Sequence, residues 1–319
     1  MKDRLGREID YMRISITDRC NLRCGYCMPE CGVPSVPHDM ILRFDEIVRL
    51  VKIFCSMGIK NVKITGGEPL VRKGAVSLIK DIKAMGGIEK VSMTTNGILL
   101  SENLKALAEA GVDSINISLD TLDRQKYLNI TGFDGLDTVL KAIDECRAFP
   151  EIKVKINAVT LADYNRNEIC ALADFAADMG VTLRFLEMMP LGLGTGFGGY
   201  NQDEIMTVLE EAYGPAKTIK EKVGSGPAKY YSFEGLEGRI GFISPMSHKF
   251  CGSCNRIRLT SEGLLRPCLG SDVGIDLRKP VREGASDEEL ASIICEGIMN
   301  KPAGHCFEAT DSLMSKIGG

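Results

Sequence analysis

From Met12 to Glu187 the chain alternates two hydrophobic rhythms. Short β-like runs fall at 12–17, 62–65, 90–94, 114–119, 154–159 and 183–187. Between them, apolar residues recur at helical spacing. Ile47, Val48, Val51, Phe54 and Cys55 mark a helix over 45–57, and Val76, Ile79 and Ile82 one over 75–85. Further helices are expected over 102–110, 136–146 and 169–179. Gly58, Gly111 and Gly180 end three of the five. Six strand–helix units in a row imply a parallel sheet with right-handed crossovers.

An open doubly wound sheet and a barrel both fit this alternation. Polar and glycine-rich residues gather where the strands end: Thr17-Asp18, Gly66-Gly67-Glu68, Thr94-Thr95-Asn96-Gly97 and Ser118-Leu119-Asp120. Barrel enzymes place their chemistry at that rim, which favours a barrel. After Pro190 the rhythm breaks. Residues 191–199 hold five glycines and read as a linker or lid. A helix over 202–213, an antiparallel pair at 230–233 and 239–243, and a helix over 287–299 follow. The expected division is therefore residues 1–190 for the barrel and 191–319 for a segment capping its open side.

Cysteine placement adds chemistry. Twelve cysteines without a secretion signal argue against a disulfide scaffold. Cys20, Cys24 and Cys27 form C-x3-C-x2-C just after the first strand. Three thiolates leave one iron of a four-iron cube open to a ligand. A structural zinc knuckle would want a fourth ligand, for which Cys31 or His38 is near in sequence. Cys251, Cys254 and Cys268 form C-x2-C-x13-C, with His248 as the neighbouring candidate for a fourth ligand. Two separate three-cysteine sets favour two iron–sulfur clusters. Arg256 and Arg258 flank Ile257 between the last two cysteines, and alternation puts both guanidinium groups on one side. Cys31 reads as idle; Cys55, Cys146, Cys170, Cys295 and Cys306 read as buried hydrophobes.

The first motif, with Tyr26 before its last cysteine, resembles the radical S-adenosylmethionine (SAM) superfamily, whose usual fold is an incomplete (β/α)6 barrel. Together with the second cysteine set, the whole chain resembles the GTP 3′,8-cyclases of molybdenum cofactor biosynthesis. The resemblance implies two 4Fe-4S clusters, held by Cys20, Cys24 and Cys27 and by Cys251, Cys254 and Cys268. It implies SAM contacts at Tyr26, Gly67, Glu68, Ser118 and Met189. It implies GTP contacts at Arg13, Lys63, Thr94, Lys155, Arg256, Ile257 and Arg258, with Arg184 a further phosphate partner. Gly318 and Gly319 match a tail that reaches into the active site.

The reaction so implied is hydrogen abstraction from C3′ of GTP by a 5′-deoxyadenosyl radical, then attack on C8 of guanine. The product, 3′,8-cyclo-7,8-dihydro-GTP, passes to a cyclic pyranopterin monophosphate synthase. An electron donor is required, and a homodimer is compatible with the family. The rival readings are a peptide-modifying maturase of the same superfamily and a non-catalytic zinc protein.

Charge and composition narrow the rest. With 39 Lys and Arg against 43 Asp and Glu, the net charge is −4, so no global basic field points to nucleic acid. A substrate as anionic as GTP would need a local cationic pocket. No apolar run is long enough to span a bilayer, and the first residues lack the apolar core of a signal peptide, so the cytoplasm is expected.

Overall fold

The computed structural model describes residues 1–34, 36–221, 223–305, 307 and 313–318. The six expected βα units are present. Strands β1 (Tyr11–Ser15), β2 (Asn61–Thr65), β3 (Lys90–Thr95), β4 (Ser114–Ser118), β5 (Lys153–Val159) and β6 (Thr182–Leu186) pair in sequence order, all parallel. Helices α1 (Phe44–Ser56), α2 (Ala75–Lys83), α3 (Leu100–Glu109), α4 (Arg124–Thr131), α5 (Leu136–Glu145) and α6 (Ile169–Asp178) fill the crossovers. The short α4 went unread because only Tyr127, Ile130 and Thr131 of its eight residues are buried. Its ends are nonetheless marked, by Asp123 capping the N–H of Lys126 and by left-handed Gly132.

The C-terminal part departs from expectation. Beyond α7 (Gln202–Tyr213) come β7 (Lys217–Ile219), β8 (Lys229–Phe233) and β9 (Leu236–Ile243), then β10 (Arg256–Leu259), β11 (Leu264–Arg266) and β12 (Ile275–Asp276). Helices α8 (Arg278–Arg282), α9 (Asp287–Met299) and α10 (Met314–Ile317) complete the order. β9 joins β6 and β10 joins β1, both parallel. The C-terminal segment thus extends the barrel wall at both edges. Eight parallel strands, β10-β1-β2-β3-β4-β5-β6-β9, form the centre of one twelve-stranded sheet. Its edges are β12 and β7, so the barrel is incomplete. The sheet is continuous across the expected boundary at residue 190.

Period-two alternation sorts the strands' side chains. Met12, Ile14, Val62, Ile64, Val91, Met93, Ile115, Ile117, Ile156 and Leu183 are buried in the hydrophobic core. Between them, Arg13, Lys63, Thr65, Thr94, Ser118, Asn157 and Arg184 line the barrel cavity. Barrel interiors are ordinarily filled with branched apolar residues. Polar and cationic residues here leave a cavity instead.

Residues 191–199 are not a free linker. They contain a short 3-10 turn at Gly192–Gly196, and the ring of Phe197 lies edge-on to Tyr26 at 6.2 Å. Of the lone cysteines, Cys146 is buried, whereas Cys55, Cys170 and Cys295 are half-buried and Cys31 is exposed. Cys306 lies outside the described residues.

Candidate active site

The first cysteine set sits at the C-terminal rim. Strand β1 ends at Ser15, and the chain turns back around Cys24, whose carbonyl accepts the N–H groups of Cys27 (2.8 Å) and Met28 (2.9 Å). Arg23 and Gly25 donate to the carbonyls of Thr131 and Ile130, tying the loop to α4. The N–H of Leu22 and the Asn96 amide point to Cys20 Sγ, at 3.4 and 3.7 Å. Burial pushes the Cys24 thiol well up, and Cys27, Asp120 and Cys20 push it further. All three line the cavity. Binding an electrophilic cluster would remove that penalty by taking the thiolates as ligands.

The glycine loop after β2 packs against this cysteine loop. Gly67 donates to Thr17 O (2.7 Å) and Glu68 to Arg19 O (2.8 Å). A Cβ on Gly67 would lie 2.2 Å from Arg19 O, so only glycine fits. Glu68 does not stand ready for an ammonium. It is fully buried, and its carboxylate accepts from Leu70 N, Asn96 N and Thr95 Oγ1 at 2.7–3.0 Å. Burial holds its pKa up at about 7 against those bonds. Its visible task is to pin the loop. Gly66, Gly67, Ser118, Met188 and Met189 line the cavity nearby. Tyr26 donates to Asp120 Oδ2 (2.8 Å), and Asp120 Oδ1 accepts Val159 N (2.8 Å). Sequence reading missed Asp120 as a partner because its contact spans 94 residues.

The opposite end of the barrel is cationic. Register aligns Arg258, Arg13 and Lys63 across β10, β1 and β2, while Lys155 and Arg184 project from β5 and β6. Burial lowers the Lys63 ammonium pKa well below its usual value, with Arg184, Arg13, Lys155 and Arg256 adding repulsion. Lys155 falls to about 8, from burial first and then Arg184. Neither ammonium has a hydrogen-bond partner among the described residues. Arg184 donates to Asn116 Oδ1 (2.5 Å), and Arg258 to Gly318 O (3.0 Å). So much like charge under low dielectric is costly without an anion.

The second cysteine set lies at this same end, because Cys254 is two residues before the start of β10. Cys251, Cys254 and Cys268 line the same cavity as the first set. Burial alone would raise the Cys254 thiol, but Arg256 and Lys301 outweigh it and bring it to about 7. Lys301 and His305 were missed. Lys301 donates to the carbonyls of Arg256 and Pro267, and His305 Nδ1 is 3.1 Å from Cys251 Sγ. His248 bonds Asp203 instead of joining the thiols. Among the described residues no three His, Cys, Asp or Glu side chains form a single-ion site; each thiol set lines a cavity wall, as a multi-iron cluster with protein ligands on one side would use it.

Other expected residues divide. Arg256 and Arg258 do face the cavity. The Ile257 side chain is fully buried in the core, so any substrate contact there is through its backbone. Lys155 stands just behind the cavity lining. Gly318 is buried against β1 and β2; Gly319 lies outside the described residues. The cavity encloses about 1950 Å³ including its open mouth.

A partial βα barrel with a three-cysteine loop at its rim defines a radical SAM enzyme. The Radical SAM superfamily profile matches residues 14–176, and the Molybdenum Cofactor Synthesis C profile matches 181–307. The chain is 47% identical to a GTP 3′,8-cyclase of Clostridium perfringens (strain 13 / Type A), and 44% to that of Pelotomaculum thermopropionicum, over the full length of each chain. It belongs to the GTP 3′,8-cyclase family. It is also 43% identical, over 96% of its length, to half of the molybdenum cofactor biosynthesis protein 1 of Dictyostelium discoideum. The fold is shared with Streptococcus suis SuiB bound to S-adenosylmethionine (TM-score 0.64, 16% identity, 98% of this chain and 76% of that one).

Proposed function

We propose that this chain converts GTP to 3′,8-cyclo-7,8-dihydro-GTP by radical SAM chemistry, the first step of molybdenum cofactor biosynthesis. The observation that carries the reading is one cavity lined by both three-thiol sets, with a cationic belt at the end of the second. When bound, the cluster at Cys20, Cys24 and Cys27 supplies the electron that cleaves SAM to methionine and a 5′-deoxyadenosyl radical. Residues 1–190 provide the SAM side. Tyr26, Gly67, Ser118 and Met189 surround it, Asp120 fixes Tyr26, and Glu68 fixes the glycine loop. Residues 191–319 provide most of the substrate side. Arg256, Arg258 and the Ile257 backbone hold GTP beside Cys251, Cys254 and Cys268, while Arg13, Lys63, Thr94, Lys155 and Arg184 complete its site. The chain's contribution is position and exclusion of water.

An electron donor must reach the first cluster, and the product would pass to a cyclic pyranopterin monophosphate synthase. A homodimer is compatible with the family. No described helix is long and apolar enough to cross a membrane, which accords with a cytoplasmic enzyme. The peptide-maturase alternative shares the fold but leaves the cationic belt without a task. Anaerobic reconstitution with SAM, reductant and each nucleoside triphosphate tests the reading. 5′-Deoxyadenosine and a cyclised nucleotide should form with GTP; turnover that ignores the nucleotide would refute it.

Two further outcomes follow. Arg256→Ala or Arg258→Ala should weaken GTP binding about tenfold to hundredfold, as loss of a charge-assisted bond of about 1.5–3 kcal/mol implies. SAM affinity should change little; equal loss of both, measured by equilibrium dialysis, would indicate misfolding. GTP affinity should also fall as pH rises through about 8, where Lys155 of the free enzyme loses its proton. The sign follows because the phosphate favours the charged lysine, so binding takes up a proton above that pH. Lys155→Arg should flatten the decline between pH 7 and 9.

A further inference from the structure

The stretch 223–228, just before β8, belongs to neither thiol set nor the cationic belt. It crosses the cationic end of the barrel. Ser225 Oγ donates to Asn61 Oδ1 (2.6 Å) at the start of β2, and Asn255, just before β10, donates to Ser225 O (3.3 Å) and Asp10 Oδ1 (2.6 Å). On its other side a Cβ on Gly224 would lie 3.8 Å from Lys155 Nζ. Gly226 and Pro227 line the cavity itself. The turn is thus tethered to β2 and to the residue before β10, and it approaches Lys155 of β5 at the end opposite the SAM rim.

Its backbone has donors to spare. The N–H groups of Gly224, Ser225 and Gly226 have no hydrogen-bond partner among the described residues. Successive free N–H groups beside a lysine are a recurrent phosphate-binding arrangement. Geometry restricts which part of the substrate can arrive there. The ribose must face the SAM rim, and the base must face Cys251, Cys254 and Cys268. The remaining direction, toward Lys63, Lys155 and Arg184, belongs to the phosphates. Gly224 has φ +95°, a conformation that would strain any side chain.

We infer that the turn 224–227 is the floor of the phosphate site and, with Lys155, takes the far end of the triphosphate. It makes the cavity select nucleotides by phosphate-chain length. This rests on GTP being the substrate. A monophosphate falls short of the floor and gains nothing from it; a triphosphate reaches it.

The test is binding of GTP, GDP and GMP to the reconstituted holoenzyme, comparing wild type with Gly226→Asp. A Cβ at 226 meets nothing within 4 Å, so the new carboxylate enters open space at the floor. GTP affinity should fall at least tenfold and GMP affinity less than twofold. Gly226→Asn, of equal size without charge, should restore most of the GTP-to-GMP ratio. Equal weakening of all three nucleotides, or an unchanged ratio, overturns the inference. Should Gly226→Asp fail to load iron, Ser225→Ala decides: releasing the Asn61 tether should lower the ratio severalfold, and no change overturns the inference. Failure of the substrate reading looks different. Wild type would then bind ATP and GTP alike and cyclise neither, whatever the variants do to the phosphate ratio.

Discussion

Replacing Cys20, Cys24 or Cys27 by Ala should abolish 5′-deoxyadenosine formation, by on the order of a thousandfold or more, because the electron that cleaves SAM has no other entry. Replacing Cys251, Cys254 or Cys268 should spare part of SAM cleavage and abolish the cyclised nucleotide. The contrast follows from position. The first set closes around Cys24 at the C-terminal rim, and the second lies before β10 at the opposite end, where Arg256 and Lys301 stabilise a thiolate at Cys254. Iron content gives a readout independent of turnover. The reconstituted enzyme should hold about eight irons, and loss of either set should leave about four. Stoichiometric zinc with about four irons would defeat the two-cluster assignment. Loss of both activities from either set would show that the two ends are not functionally separable.

The radical SAM half was legible because its signals are local. Each βα unit carries its own apolar period, and C-x3-C-x2-C is complete within eight residues. What escaped was made by long-range pairing. Arg256–Leu259 is a four-residue run whose parallel partner, β1, lies about 245 residues away, so no window could reveal that β10 completes the wall. The same pairing sets Arg258 beside Arg13, which turns a short R-x-R into part of a belt. Glu68 is another case of long-range pairing: its carboxylate in a glycine loop suggested a ligand contact, and in the fold it accepts Leu70 N together with Thr95 and Asn96 from the end of β3. Phe197 read as part of a glycine linker, yet its ring is a wall for Gly25 and Tyr26.

The tail offers the second large effect. A chain ending in Gly-Gly ordinarily frays. Here α10 delivers buried Ile317 and Gly318 against the ends of β1 and β2. Gly318 has φ +82°, and a Cβ on it would lie 2.9 Å from Ser15 Cβ and 3.0 Å from Thr65 Cγ2. Its carbonyl accepts Arg258 Nη1 at 3.0 Å. A residue without a side chain is therefore needed both for the backbone conformation and for the gap. By accepting this bond the tail holds Arg258, a cation that lines the cavity; a charge-assisted bond of this kind contributes about 1.5–3 kcal/mol. Removing Gly318 and Gly319 should leave the melting temperature, the iron content and SAM affinity near wild type, since few core contacts are lost. Cyclisation of GTP should fall about a hundredfold, as misplacement of one group by about an ångström does elsewhere. Gly318→Ala should reproduce most of that loss, because the added methyl meets Ser15 and Thr65 directly. Cyclisation at the full rate by the truncated enzyme would show that the tail only fills space.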